Sequence, residues 1–197
     1  MSHMSLILAS SSPRRKSLLA TLGLEFAVLP GAELDEAGIL ATADGGLLER
    51  IEYLARLKGE GVAKESAEAI VISADTVVEI DGDALGKPVD VDEARAMLTR
   101  LSGRAHYVHS GVAVQCIQTG FSQTGVESTR VTFALLDGET INNYIARAQP
   151  FDKAGAYAIQ GLGALLVRRI EGDYSNVVGL PLPLTARLLT AAGMRVL

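Results

Sequence analysis

Hydroxyl and cationic side chains gather at the expected start of a helix near the beginning of the chain. The stretch from Leu6 to Leu19 reads LILASSSPRRKSLL, in which an apolar run is followed by serines, a proline, two arginines and a lysine. A helix N-terminus offers unpaired N–H groups and about half a positive charge, which suit an anion. Ser10, Arg14 and Arg15 could add hydroxyl and forked guanidinium hydrogen bonds to phosphate oxygens. An ordinary capped helix with solvated arginines explains the residues equally well, and the Walker phosphate-binding pattern is absent.

Asp75 stands inside an apolar run that reads AIVISADTVVEI over residues 69–80. A carboxylate in such a run is costly unless it is paired, binds a metal or lies where the strand leaves the core. Ligands of open α/β sheets commonly bind at the carboxyl ends of strands, where an Asp could hold Mg²⁺ or activate water. A structural Asp that caps a turn or pairs with one cation is the alternative interpretation.

Polar residues in three other loops could also contact a ligand. Lys87 and Lys153 lie beside loop-forming residues and could contact phosphate as mobile point charges, although most lysines are simply solvated. Asp35 and Glu36 lie in a polar loop after a Pro-Gly pair and could help to hold a metal ion, although an acidic loop is usually only solvated. Gln160 precedes two nearby glycines and could read the edge of a base, but a bulge or a hairpin turn alone accounts for this pattern.

The histidines and the cysteine offer weaker candidates for chemistry. His106 and His109 would point to opposite faces of a strand, so they would form a poor metal-chelating pair. Cys116 is the only cysteine, which excludes an intrachain disulfide and favours a reducing, cytoplasmic location. Three histidines and one cysteine also disfavour a zinc site built from these residue types. No catalytic triad emerges from the spacing.

The composition is that of a globular chain that can bury a sizeable core. Of the 197 residues, 48% are hydrophobic and 21% are charged, which favours a single domain over residues 4–197. A net charge of -5 argues against nonspecific nucleic-acid binding. No apolar run approaches the roughly 20 residues of a membrane helix, and the start does not resemble a signal peptide. Residues 1–3 are interpreted as a cloning remnant, with Met4 as the natural start.

Strands and helices mix along the whole chain, so we expect a mixed α/β sheet flanked by helices. Ser12 and Pro13 suit the N-cap and first position of a helix, and Asp81-Gly82 suits a hairpin turn. Asp90 and Glu93 are spaced as a capping box. Strands are predicted at residues 5–9, 69–80, 107–115, 126–135 and 164–170, and helices at 13–22, 47–57, 91–101, 140–148 and 184–192. Gly59 and Gly61 weaken any extension of the second helix.

Six stretches of the chain together resemble the Maf family of nucleoside triphosphate pyrophosphatases, over nearly the whole length after Met4. In order they are LASSSPRR, SADTVV, LGKP, LSGRAHYVHSGVAV, DKAGAYAIQGLG and NVVGLPL. The resemblance implies an elongated, twisted sheet and two lobes with a central cleft. It also implies a divalent metal cofactor, Mg²⁺ or Mn²⁺, cleavage between the α- and β-phosphates of a nucleoside triphosphate, and a homodimer.

The resemblance also assigns roles to individual residues. Asp75 matches the proton-accepting aspartate of the family, while Arg14, Thr76 and Gln160 match positions tied to substrate choice. These three resemble the branch that acts on dTTP and UTP, whereas the 7-methyl-GTP branch tends to carry Trp, Gln and Glu there. A Gln can exchange two hydrogen bonds with the imide edge of a pyrimidine. The other matched cleft residues are Ser10, Arg15, Glu36, Lys58, Lys87 and Lys153.

We therefore expect metal-assisted hydrolysis of dTTP, UTP or modified pyrimidine triphosphates to the monophosphate and pyrophosphate. Asp75 and Glu36 are the expected metal ligands. The glycines at 59 and 61 depart from the Ala-rich helix of the family near Lys58, and Phe133-Ala134 and His109-Ser110 are further departures. The alternatives are a non-catalytic nucleotide-binding regulator of cell division and a pyrophosphatase with another base preference, such as 7-methyl-GTP.

Overall fold

Seven strands form one mixed sheet in the computed structural model, which describes residues 4–197. Residues 1–3, interpreted above as a cloning remnant, lie outside this range. The strand order is β2-β1-β3-β5-β6-β7, with β4 paired to β3. β1 runs parallel to β2 and β3, whereas β3–β4 and β6–β7 are antiparallel. The strands are β1 (Leu6–Ala9), β2 (Ala27–Leu29), β3 (Ile70–Ile80), β4 (Asp83–Leu85), β5 (Ala105–Cys116), β6 (Phe121–Phe133) and β7 (Val167–Glu171).

Helices separate most of these strands, so the predicted mixed α/β class is confirmed. Between residues 4 and 197 they are α1 (Pro13–Ala20), α2 (Glu36–Thr42), α3 (Leu47–Glu65), α4 (Val91–Leu101), α5 (Gly138–Ala148), α6 (Tyr174–Val178) and α7 (Leu182–Ala191). Single 3₁₀ turns lie at Pro150–Asp152, Ala154–Ala156 and Gly161–Leu165. None of the helices in this part of the chain combines the length and apolarity that crossing a membrane requires.

The chain divides into two compact units, and the boundary passes through β3 between Asp75 and Thr76. The first unit contains the chain up to Asp75 together with Ser110–Glu127 and Gly179–Leu197. The second unit contains Thr76–His109 and Ser128–Val178. That residues 4–197 behave as one folding domain stays a prediction.

In the first unit, β1 and residues 70–75 of β3 are buried on both faces, which explains why most of their side chains are apolar. Alternate residues of β1 and β3 face opposite ways because side chains alternate along a strand. One face packs with α1 and α7, and the other packs with α3. The first face contributes Leu6, Leu8, Ile70, Ile72 and Ala74 to a core with Leu19, Leu184 and Leu188, and the second contributes Ile7, Ala9 and Val71 to a core with Val62 and Ala63.

Helix α3 is longer than predicted, because it continues through Gly59 and Gly61 to Glu65. A Cβ atom at Gly59 would lie 2.5 Å from Ser73 Oγ and 2.9 Å from Gln115 Oε1. Gly59 therefore allows the helix to pack closely against the sheet, and this packing offsets the low helix propensity of glycine. The prediction that these glycines end the helix near residue 57 was wrong.

Most of the predicted helix caps and turns are present at the predicted residues in both units. Ser12 caps α1 and Pro13 occupies its first turn. In the second unit, Asp81 and Gly82 have φ values of 58° and 84° and form the hairpin turn into β4. Asp90 accepts a hydrogen bond from the Glu93 N–H, as expected for an N-cap. The Glu93 carboxylate reaches back to Val89 N–H rather than to that of Asp90.

The short elements differ most from the predictions. β2, α2 and α6 were not predicted, because three to seven residues are too few to establish a periodic pattern. The predicted strand at 164–170 begins only at Val167, since Gly161–Leu165 forms a 3₁₀ turn. Of the two acidic residues predicted to lie in a polar loop, Asp35 lies there and Glu36 does not. Asp35 caps α2 by accepting a hydrogen bond from Gly38 N–H, and Glu36 is the first residue of that helix.

Candidate active site

Asp75 lies beyond the carboxyl end of β1, where the serine loop begins. The parallel ladder between β1 and β3 extends to Leu8 opposite Ile72, and Asp75 follows three residues further along β3. β3 itself continues to Ile80, so Asp75 lies past the end of β1 and not at the end of β3. Only 3% of Asp75 is exposed. A nearly buried carboxylate in this position requires a cationic or hydrogen-bonding partner.

Lys58 supplies this partner from helix α3. Its Nζ atom contacts Asp75 Oδ1 and also donates a 2.7 Å hydrogen bond to Glu36 Oε1. The side chain of Lys58 is 14% exposed, compared with 5% for Asp75 and 31% for Glu36. One ammonium therefore holds two carboxylates that would otherwise repel each other at short range. The family resemblance implied that Lys58 is a cleft residue, and the structure adds that it joins the two predicted metal ligands.

Close packing between α3 and β3 determines where Lys58 lies. Ser73 and Asp75 are two residues apart and share the face of β3 that meets the helix. Ser73 Oγ donates to Ala55 O at 2.6 Å, while Gly59 leaves no side chain between helix and strand. Lys58 follows Ala55 by three residues, about one helical turn, and thus meets Asp75 two residues after Ser73. The glycine that departs from the family pattern is part of what positions Lys58.

A close backbone approach at Gly31 brings Glu36 to the same place. A Cβ atom at Gly31 would lie 2.9 Å from both Ala9 O and Lys58 O. Ala32 N–H donates to Lys58 O at 3.0 Å, which fixes the loop on the helix next to this lysine. Sequence reasoning did not assign a role to Gly31. The Pro-Gly pair before an acidic segment was the only signal, and it indicates a turn and not a docking point.

The serine loop is ordered by its own hydrogen bonds. Ser10 is buried, and its Oγ accepts from Ser12 N–H at 3.2 Å. Ser12 Oγ accepts from Arg15 N–H at 3.5 Å and so caps α1. Both hydroxyl oxygens act as acceptors in these bonds, and a hydroxyl can also donate its own proton. The loop therefore presents hydroxyl groups beside the N-terminus of α1, as an anion site requires.

Arg15 is held in the first unit by a backbone carbonyl and by charge. Its Nε donates to Gly179 O at 2.8 Å, which gives the NVVGLPL stretch a structural role that the sequence did not reveal. Burial lowers the pKa of the Arg15 guanidinium, the charges of Asp75 and Glu36 raise it, and Arg14 lowers it. An arginine keeps its proton through such shifts. Arg15 is therefore a fixed cation within the electrostatic reach of both carboxylates.

Arg14 is the second residue of α1, and the remaining predicted contact residues belong to the second unit. Gly155 N–H donates to Gly86 O at 2.9 Å and so joins the loops that carry Lys87 and Lys153. Lys87 is exposed, whereas the Lys153 side chain is 16% exposed and pairs with Asp152 at 2.5 Å.

Two further second-unit residues were predicted to govern substrate choice. Gln160 is exposed and precedes the 3₁₀ turn at Gly161–Leu165. Thr76 follows Asp75 directly in β3, so its side chain takes the opposite face of the strand. The structure thus places each predicted site residue, and the roles of these residues stay predictions.

The two histidines of β5 have separate environments. His106 Nε2 lies 2.8 Å from the Tyr157 hydroxyl, while His109 Nδ1 lies 2.8 Å from Ser128 Oγ. Burial lowers the pKa of His109, and Glu79 opposes this effect. Within residues 4–197, no group of three or more His, Cys, Asp and Glu side chains is arranged to hold a metal ion.

A comparison with known families places this arrangement in context. The family model described as Maf-like protein matches residues 5–192. The chain belongs to the Maf family. The family resemblance of its six ordered stretches is thus confirmed.

Several curated relatives of this Maf protein carry the name dTTP/UTP pyrophosphatase. The relative from Pelotomaculum thermopropionicum is 46% identical over 98% of each chain. Those from Symbiobacterium thermophilum and Myxococcus xanthus are each 48% identical, covering 95% and 96% of this chain and 94% and 93% of their own. Among solved structures, the Staphylococcus aureus Ham1 protein aligns with a TM-score of 0.45 at 15% identity, over 66% of this chain and 72% of its own. A TM-score of 0.45 is too low to establish a common fold with the Ham1 protein.

Proposed function

We propose that this Maf protein is a nucleoside triphosphate pyrophosphatase that hydrolyses dTTP and UTP, with modified pyrimidine triphosphates as further substrates. The observation that carries the proposal is the buried Asp75, which shares the ammonium of Lys58 with Glu36 beside the serine loop and Arg15. Full-length relatives at 46–48% identity named dTTP/UTP pyrophosphatase support the substrate class.

Asp75 acts in this proposal as the base that directs water to the α-phosphorus. A carboxylate can accept a proton from water while the water oxygen attacks phosphorus. The new O–Pα bond forms as the bond from Pα to the bridging oxygen of the β-phosphate breaks. The bridging oxygen leaves with pyrophosphate, and the proton passes from Asp75 to solvent. The reaction needs no covalent intermediate.

The cations and the helix N-terminus hold the triphosphate. Arg15 is fixed by Gly179 O, so it offers an oriented guanidinium for phosphate oxygens at little entropic cost. Ser10 and Arg14 add a hydroxyl and a second guanidinium in the same short segment. Lys87 and Lys153, on loops joined by the bond from Gly155 to Gly86, are proposed as further phosphate contacts. Gln160, Thr76 and Arg14 would then select the nucleoside.

The carboxylates fit a divalent metal cofactor. Glu36 and Asp75 already converge on one cationic group, the Lys58 ammonium, and the same convergence suits Mg²⁺ or Mn²⁺. One or two carboxylates plus substrate phosphates is a common ligand set for Mg²⁺ at phosphoryl-transfer sites. When bound, such an ion would stabilise the negative charge that develops on the phosphate oxygens. Glu36 and Asp75 would hold it, with Lys58 limiting the repulsion between them. A cytoplasmic location, a homodimer and the absence of nucleic-acid partners stay predictions.

Product analysis with a panel of triphosphates tests this function. The protein is incubated with Mg²⁺ and, separately, with dTTP, UTP, dCTP, dATP, GTP and 7-methyl-GTP. We expect the monophosphate and pyrophosphate to form fastest from dTTP and UTP. Bound but uncleaved triphosphate would instead indicate a nucleotide-binding regulator. Preferred cleavage of 7-methyl-GTP would contradict the pyrimidine assignment.

The substitution Gln160→Glu sharpens the test of base choice. A carboxylate can accept but cannot donate a hydrogen bond, so it cannot exchange both bonds with a pyrimidine imide edge. We expect kcat/KM for dTTP and UTP to fall about tenfold, which is the effect of roughly 1.4 kcal/mol. Glu139→Gln, an exposed change of the same size on α5, serves as control. An unchanged substrate ranking in the Gln160 variant would remove the basis for the pyrimidine preference.

A further inference from the structure

Residues 153–160, here called the recognition segment, follow an unusual backbone path. Gly155 and Ala156 are consecutive residues with φ values of 65° and 59°. A non-glycine residue in this left-handed region is held there at a cost of about 1–2 kcal/mol. Ala156 is fully buried, so surrounding contacts must retain the conformation. Such local strain is common where a segment has to present side chains in one fixed arrangement.

Two contacts on the strand side keep the first half of the segment in place. Gly155 N–H donates to Gly86 O at 2.9 Å. A Cβ atom at Gly155 would lie 3.0–3.1 Å from the side chain of Val78, so the backbone is seated directly on β3. These contacts fix the path near Lys153, but they do not reach the second half of the segment, where Gln160 lies.

Two phenolic hydroxyl groups hold the second half. The Tyr157 hydroxyl lies 2.8 Å from His106 Nε2 of β5. The Tyr144 hydroxyl, on α5, accepts a hydrogen bond from Ala158 N–H at 3.2 Å. His106, Phe133 and Tyr157 also pack edge to face, with ring centroids 4.8–5.5 Å apart. Gln160 is exposed and follows Tyr157 by three residues and Ala158 by two, so both hydrogen bonds act close to it in sequence, together with the buried side chain of Ile159.

His106 is better suited to positioning than to packing. The residue is 1% exposed, and within residues 4–197 its Nδ1 is buried without a hydrogen-bond partner. A buried polar atom without a partner costs stability, and an apolar side chain would fill the same space without this cost. Burial lowers the pKa of His106 to about 4 and raises that of Tyr157, so both groups are neutral near pH 7. What the imidazole provides is one directional hydrogen bond to Tyr157.

We propose that His106 is a positioning residue for nucleoside recognition, acting through the Tyr157 hydroxyl on the segment that ends at Gln160. This inference rests on the proposed function, in which Gln160 reads the pyrimidine edge. His106 itself does not contact the substrate. Loss of the His106–Tyr157 bond frees the second half of the recognition segment, and the amide of Gln160 then discriminates less well between bases.

Binding of uncleavable nucleotides tests the inference separately from turnover. The dissociation constants of α,β-methylene-dTTP and α,β-methylene-dCTP are measured by calorimetry for the wild type and for Tyr157→Phe. This variant loses only the hydroxyl, and we expect the dTTP-over-dCTP preference to fall about tenfold, as for the loss of one oriented hydrogen bond. Tyr107→Phe, the same chemical change at an exposed neighbour of His106, should keep the wild-type preference.

Two changes at His106 distinguish positioning from simple core packing. His106→Gln can place a hydrogen-bonding group near the former Nε2 position and should retain the preference within about twofold, whereas His106→Leu should lose it about tenfold. If His106→Leu fails to fold, Tyr157→Phe still decides the question. The inference is overturned if the wild type binds the dTTP and dCTP analogues equally well. It is also overturned if Tyr157→Phe keeps the wild-type preference for the dTTP analogue and only lowers the Tm. Absence of pyrophosphate release in the wild type would overturn the proposed function instead.

Discussion

The two units hold their predicted substrate-contacting residues by different physical means. In the first unit, the Lys58 ammonium lies between Asp75 and Glu36, so the arrangement depends on charge pairing. In the second unit, a backbone bond to Gly86 and the Tyr157 hydroxyl hold the recognition segment, so the arrangement depends on neutral contacts. Removing one member of a mostly buried ion pair strands the other charge, whereas a neutral hydrogen bond contributes about 0.5–1.5 kcal/mol. We therefore expect substitutions that remove a charge in the first unit to lower the rate of hydrolysis strongly. Substitutions that remove a neutral hydrogen bond in the second unit should weaken base recognition only in part.

The largest effect is expected for Asp75→Asn, which removes the proposed base with little change in shape. We expect kcat to fall about 10²–10⁴-fold, the usual range for general acid–base catalysis, while nucleotide affinity is retained. Steady-state kinetics and calorimetry measure the two quantities. Asp92→Asn, a nearly fully exposed Asp paired with Arg95, serves as control and should keep the wild-type rate. Turnover close to wild type in Asp75→Asn would contradict the role of Asp75.

The substitution Lys58→Met tests the charge pairing in the first unit. It leaves Asp75 and Glu36 facing each other without a shared cation, and loss of one partner from a mostly buried pair costs about 3 kcal/mol. Chemical denaturation measures the free energy of unfolding. Lys64→Met on the same helix breaks only an exposed pair with Glu60 and should cost less than about 1 kcal/mol. An equal loss in the free energy of unfolding for the two variants would show that the Lys58 pairing contributes no more to stability than an exposed ion pair.

The second unit should instead show a pH dependence that arises from His106. Burial lowers the pKa of His106 from 6.5 to about 4, so between these values the unfolded chain binds a proton that the folded chain does not. The free energy of unfolding therefore falls by about 3 kcal/mol as the pH drops from about 6.5 to 4. His106→Gln should remove this contribution when urea unfolding is compared at pH 7 and 4.5. The lowered pKa of His109 acts in the same direction in both proteins, so an identical pH dependence would refute the assignment to His106.

The smallest expected effects come from a matched pair of glycines in α3. Gly59→Ala places a methyl group against Ser73 Oγ, which is already bonded to Ala55 O, and should destabilise the fold by about 1–3 kcal/mol. Among residues 4–197, Gly61→Ala meets no heavy atom within 4 Å beyond its chain neighbours and the backbone of its own helix, and should stabilise the fold by about 0.5–1 kcal/mol. Thermal unfolding of the two variants measures the difference. Shifts of the same sign would contradict the close contact of α3 with β3.

Local chemistry explains which parts of the fold could be predicted from the sequence. The N-cap at Ser12, the Asp81-Gly82 turn and the N-cap at Asp90 depend on neighbouring residues, and all were confirmed. The extension of α3 could not be predicted, because the close packing that favours Gly59 involves Ser73 and Gln115 on distant strands. The start of β7 was also missed, since the apolar residues of the 3₁₀ turn before it resemble a strand.

The candidate site shows the same division between local and distant causes. Asp75 could be singled out because a carboxylate inside an apolar run must have a partner. Its partner could not be identified, because the contact with Lys58 depends on the packing of α3, and that of Glu36 depends on the docking of Gly31 on Lys58 O. The anchoring of Arg15 by Gly179 likewise joins residues 164 positions apart. Such convergence arises from tertiary packing, and no local spacing encodes it.

Hydrolysis of dTTP in water enriched in ¹⁸O tests most directly whether this site directs water to the α-phosphorus. The products are separated, and the isotope content of each is measured by mass spectrometry. The account predicts one ¹⁸O atom in the thymidine monophosphate and none in the pyrophosphate. Label in the pyrophosphate, with unlabelled monophosphate, would mean that water attacks the β-phosphorus and would contradict the role proposed for Asp75.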